Sequence, residues 1–139
     1  MKRKTLLTIA ILAAFVAAYV VYSNFLKTAP AMKDLVAEFK LSAVELYAQF
    51  EADETSANAK FQNKILEISG EVVEVTSEEG GNPFISLKTD GFGVIKCTLE
   101  SALSFEALQK IEIGGELTIK GECIGMLLDV LIERSIIQP

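Results

Sequence analysis

Histidine is absent from all 139 residues, so a Ser–His or Cys–His nucleophile pair cannot form. Two of the 19 carboxylates could in principle act as an acid and a nucleophile, but no spacing singles out a pair. Glu78 and Glu79 sit in an acidic stretch without the ordered ligand spacing of a calcium loop. No glycine-rich phosphate loop occurs either. Catalysis, a cofactor and a resident metal are therefore not expected. The residues that could bind something are of another kind. Phe84, Ser86 and Lys88 alternate with Ile85 and Leu87, and Val94 and Lys96 alternate with Ile95 and Cys97. If the apolar partners point inward, Phe84, Lys88 and Lys96 share an outer face. One aromatic ring and two lysines could stack on and pair with a single nucleic-acid strand.

The charge around that face argues against it. All 19 acidic residues lie after residue 27, with 9 basic residues, giving that part a net charge of −10. Such a domain repels phosphate backbones and anionic lipid headgroups, and it suits a cationic partner or plain solubility.

The elements that must carry these residues can be read from periodicity. Between Leu6 and Tyr22 the one polar residue is Thr8. That run is close to the roughly 17–25 residues that span a bilayer as a helix. Tyr22 and Phe25 fall where aromatic rings favour the interface, and Lys2, Arg3 and Lys4 precede the run. Basic flanks stay in the cytoplasm, which predicts a single pass with the C-terminal bulk outside it, in the periplasm of a bacterial cell. A cleaved signal peptide competes with this reading. Its apolar core is shorter, and the one small-residue site here, Ala29-Pro30-Ala31, lies beyond Lys27 and contains proline. A retained anchor in the cytoplasmic membrane is the expectation.

Past a hinge at Thr28–Ala31, apolar residues step by three or four through Leu35, Phe39, Ala43, Leu46 and Phe50, with Val36 and Tyr47 widening the stripe. This predicts an amphipathic helix. It is interrupted near Asp53, whose carboxylate can cap the resumed helix over Ala57–Phe61. From Ile65 the period becomes two. Strands are expected over 65–72, 84–88, 92–99, 116–123 and 128–137, with a short helix capped by Ser104 between the third and fourth, and a loop at Gly125. Three strands, a helix and two strands, each apolar on one side, require closure, and a five-stranded Greek-key barrel of the OB type has this order. The expected organisation is an anchor over residues 1–27, a helical neck over 28–62 and the barrel over 63–139. The fold class is mainly β with a helical N-terminal part. On this topology Cys97 and Cys123 lie toward opposite ends of the barrel, too far apart to bond, and remain buried thiols.

Two stretches carry a resemblance. Leu46–Val75, with Phe50, Asp53, Ala57-Asn58, Phe61, Lys64, Leu66, Gly70 and Val72, and Ile119–Gly125 followed by Asp129-Val130, together resemble the tRNA-anti-like OB-fold family of bacterial proteins. The resemblance implies an OB-type domain, often secreted or membrane-tethered, and implies no tRNA binding by itself. Asp53, Asn58 and Lys64 are expected to be structural. The reading favoured is a noncatalytic binding or interaction module at the cell envelope, attached to the membrane by its N-terminal helix and serving a protein partner or small solute. The alternative is an oligonucleotide-binding OB domain.

Overall fold

The computed structural model describes residues 2–25, 29–77, 80–101 and 105–139. Lys27, Thr28 of the hinge, the Glu78-Glu79 pair and the Ser104 cap lie outside the described residues. The chain divides into two units, Met1–Pro30 and Ala31–Pro139.

Among the described residues, the first unit holds one helix, α1, over Lys2–Phe25. At 1.5 Å per residue it is about 36 Å long, enough for a hydrocarbon core of about 30 Å. The Thr8 hydroxyl donates to the Thr5 carbonyl at 2.9 Å and that of Ser23 to Val20 at 3.1 Å, so these polar atoms are satisfied within the helix. By length and composition α1 can cross a membrane.

In the second unit, β2 (Ile65–Thr76), β3 (Phe84–Leu87), β4 (Ile95–Leu99), β5 (Glu116–Met126) and β6 (Val130–Ile137) close into a barrel. β2 is long enough to serve two neighbours. It pairs with β5 from Ile65 to Glu71 and with β3 from Val72 to Thr76, and the register shifts between Val72 and Glu74. A bulge of this kind bends a strand around a closed sheet. β4 and β6 run parallel, β5 and β6 antiparallel, and α4 (Phe105–Gln109) lies between β4 and β5 in sequence, the order expected of an OB barrel. Leu66, Ile68, Ile85, Leu87, Ile95, Ile119 and Ile132 are fully buried inside it.

The predicted helix beginning at Leu35 is corrected. Phe39–Ser42 form a sixth strand, β1, parallel to the start of β2 with Phe39 opposite Leu66. A step of four residues fits a strand as well as a helix, because four is a multiple of two. Exposure over Leu35–Leu41 alternates residue by residue, and Val36 points to solvent instead of widening a stripe. The helix α2 (Ala43–Ala52) starts where its N-terminus is capped. The Ser42 hydroxyl accepts from the Glu45 N–H at 3.1 Å, and the Glu45 carboxylate accepts from the Ser42 N–H at 2.9 Å. After Asp53 the chain continues as α3 (Glu54–Phe61). Leu46, Tyr47, Phe50 and Phe61 pack on the barrel core, with Phe39 and Phe61 edge to face at 5.2 Å. Each fully buried Leu or Phe stabilises the unit by about 1.5–3 kcal/mol.

Two strand starts and one loop also move. The third barrel strand begins at Ile95 and the last at Val130, later than the apolar runs from Phe92 and Leu128 suggest. Gly125 lies within β5, at φ 133°, where the register against β6 shifts.

Candidate binding face

The pairing of β3 with β4 sets Phe84 opposite Thr98 and Ser86 opposite Lys96. The Lys96 ammonium lies over the Phe84 ring, 4.0 Å from its centroid. That contact is a cation–π pair. Ser86 between them is buried, and its hydroxyl donates to Glu74 Oε2 at 3.3 Å. The face therefore contains a ring, a cation resting on it and a carboxylate beside them. Lys88 stands apart, about 13 Å from Phe84 along the strand at 3.3 Å per residue. Its ammonium pairs with Glu71 at 3.2 Å. Of the three residues that alternation placed on the outer face, Phe84 and Lys96 meet and Lys88 does not join them.

Other cations of the unit are similarly engaged. Lys40 pairs with Glu67 at 3.3 Å, Lys64 with Glu38 at 3.1 Å, and Arg134 with Glu100 at 3.3 Å. Lys120 is buried, its ammonium donating to the Leu35 carbonyl at 2.7 Å. Among the described residues, no group of three or more acidic or cysteine side chains could hold a metal ion.

Of the remaining motif residues, Asp53 has local partners, whereas Asn58 Oδ1 is buried without a hydrogen-bond donor among the described residues. Asp53 caps α3 by accepting from the Ser56 hydroxyl at 2.7 Å and the Ser56 N–H at 3.1 Å. Those bonds, the hydroxyl first, hold its carboxyl below the usual range. Asn58 and Gly125 meet: a β-carbon at Gly125 would stand 3.0 Å from Asn58 Oδ1. Gln62 donates to the Ile124 carbonyl at 3.0 Å beside them. The two stretches that carry the family resemblance thus press against each other in space.

The chain belongs to the tRNA_anti-like family, which it matches over residues 1–137. No curated protein matches it. A barrel of this fold also occurs in a solved structure from Klebsiella pneumoniae subsp. pneumoniae MGH 78578, described as a "putative nucleic acid-binding lipoprotein". The two share 12% identity with a TM-score of 0.55, over 71% of this chain and 91% of that one, which shows a common fold.

Alternation alone did not reveal a second surface. The β3–β4 loop and the β5–β6 turn are braced together. Val94 N–H donates to Asp129 Oδ1 at 2.9 Å, and Gly93 N–H donates to the Tyr47 hydroxyl at 2.9 Å. The contact is tight enough that a β-carbon at Gly93 would lie 2.5 Å from the Leu128 carbonyl oxygen. The sequence signal was Phe92 between two glycines.

Proposed function

We propose that this tRNA_anti-like domain is a noncatalytic binding module, held at the membrane by α1 and serving a protein partner or small solute outside the cytoplasm. The observation that carries the reading is the Lys96 ammonium on the Phe84 ring. A stacking base needs that ring face open, and Lys96 covers it. With Lys88 paired to Glu71, one cation remains on the face, in a unit of net charge −10. Counterion release needs several phosphate contacts to give useful affinity. The absence of histidine supports a noncatalytic role, and the basic Lys2-Arg3-Lys4 flank supports export of the bulk. The structural neighbour is a lipoprotein by description, which agrees with an envelope setting.

The second reading, an oligonucleotide-binding barrel, is favoured by that neighbour's description and by the adjacency of Phe84 and Lys96. The test is crosslinking in intact membranes with the full chain, followed by capture under denaturing conditions. A reproducible protein or solute adduct on the barrel supports the module. A nucleic-acid adduct as the main product overturns it.

A further inference from the structure

Phe92, Leu127 and Leu128 are 106%, 82% and 84% exposed, and all three sit on the two loops that meet at one end of the barrel. Large side chains so exposed are common singly, but three on adjoining loops are an apolar patch. The loops that present them are not loose. Besides the Asp129–Val94 and Tyr47–Gly93 bonds, Val130 N–H donates to the Val94 carbonyl at 3.1 Å, and Leu127 N–H to the Asp129 carbonyl at 3.1 Å. Gly91 admits the Tyr47 ring, since a β-carbon there would stand 2.2 Å from Tyr47 Cε1. Part-buried hydrogen bonds and two close glycine contacts thus hold three bulky side chains out in water, where they gain no burial.

Beside the protruding residues is a hollow. A recess of about 240 Å³ is walled by Ile124, Met126, Leu127 and Leu131 on one side and by the amides of Asn58 and Gln62 on the other. The patch therefore offers two knobs, Phe92 and Leu128, and beside Leu127 one hole with an apolar wall and an amide-lined wall. The charged groups near it are mostly acidic. Asp90 precedes Phe92 on the same loop, Glu51 Oε1 lies 3.0 Å from the β-carbon position at Gly91, and Asp129 braces the turn. Lys88 at this end is already paired with Glu71. Apolar residues beside the exposed carboxylates of Glu51 and Asp90 select a complement that is apolar and basic. The same carboxylates disfavour an anionic bilayer surface.

We infer that this end of the barrel docks a basic amphipathic segment of a partner protein, whose apolar side chains pack on Phe92 and Leu128 and fill the recess, and whose lysines or arginines meet Glu51 and Asp90. The inference rests on the binding-module reading and names its partner class. It uses a surface separate from Phe84 and Lys96.

The test uses the full chain in zwitterionic phosphatidylcholine nanodiscs. The probe is a synthetic leucine–lysine amphipathic helical peptide, with its leucine–glutamate counterpart and empty nanodiscs as controls. The expected result is binding of the lysine peptide above empty nanodiscs. Phe92→Ser and Leu128→Ser should each weaken it at least tenfold, and added salt should weaken it too. The glutamate peptide should not bind. Both substituted positions are exposed, so a matching circular dichroism melt establishes that the variants are folded. Binding equal to empty nanodiscs, or unchanged in both variants, overturns the inference. So does a preference for phosphatidylglycerol vesicles over the peptide, or a dimer of the chain that Phe92→Ser dissociates. In membrane crosslinking, a partner retained by Phe92→Ser would end this docking surface and leave the binding module standing, whereas the main capture of nucleic acid would end the module itself.

Discussion

Cys97 and Cys123 both register against Ile132, one from β4 and one from β5, with β6 running between them. Two strand spacings put their Cα atoms about 9.5 Å apart, beyond the roughly 7 Å that a disulfide spans. Their separation thus runs across the sheet, and not along the barrel as strand order alone suggested. Both thiols are free and buried. Burial pushes the Cys123 thiol up to about 11 and that of Cys97 higher still, so neither is a ready thiolate. Alkylation under native conditions should leave both unmodified, while unfolding in urea should expose two sites by mass spectrometry. A linked Cys97–Cys123 peptide in the nonreduced protein would contradict the register. That both side chains face inward was legible from alternation with Lys96 and Glu122. The shared level at Ile132 was not, because register between distant strands is fixed by packing of the closed barrel and leaves no local mark.

At the scale of elements, caps and bulges decide where the chain changes state. Ser42 ends β1 and starts α2 through a reciprocal pair of bonds with Glu45. Ser42→Ala should cost about 1 kcal/mol in urea unfolding, the usual worth of an N-cap. Gly125→Ala should cost more, about 1–3 kcal/mol, because the backbone sits at φ 133° whatever surrounds it. Asn58→Ala in the same chain should not rescue Gly125→Ala, although it removes the nearest atom. Rescue would show that crowding by Asn58 governs the site and backbone strain does not. The barrel strands and their order were legible, since period-two alternation with glycine and proline breaks is a local signal. β1 was not. Leu35, Phe39 and Ala43 satisfy both periods, and its parallel pairing to β2 is a long-range contact. The alternation of Val36, Glu38 and Lys40 outward was the signal that could have separated them. In the candidate face, outward-pointing Phe84 and Lys96 could be read from sequence, but the closure of the lysine onto the ring depends on a side-chain conformation that spacing does not set.

For the molecule as a whole, charge and hydropathy are segregated. An apolar helix with basic residues in its first turn precedes a unit of net charge −10. An activity reporter that works only outside the cytoplasm, fused after Pro139, should be active, and the full chain should sediment with membranes. Activity of a cytoplasmic reporter at the same position instead would reverse the proposed topology and put the barrel in reach of nucleic acid. The central proposal is that this OB barrel is a binding module whose classical strand face is closed to nucleic acid by its own lysine and its net charge. Fluorescence anisotropy of labelled single-stranded RNA and DNA, titrated with the full chain in zwitterionic nanodiscs at physiological salt, tests it most directly. No saturable binding is expected up to high micromolar protein. Micromolar binding that falls steeply with added salt and is abolished by Lys96→Glu would contradict it.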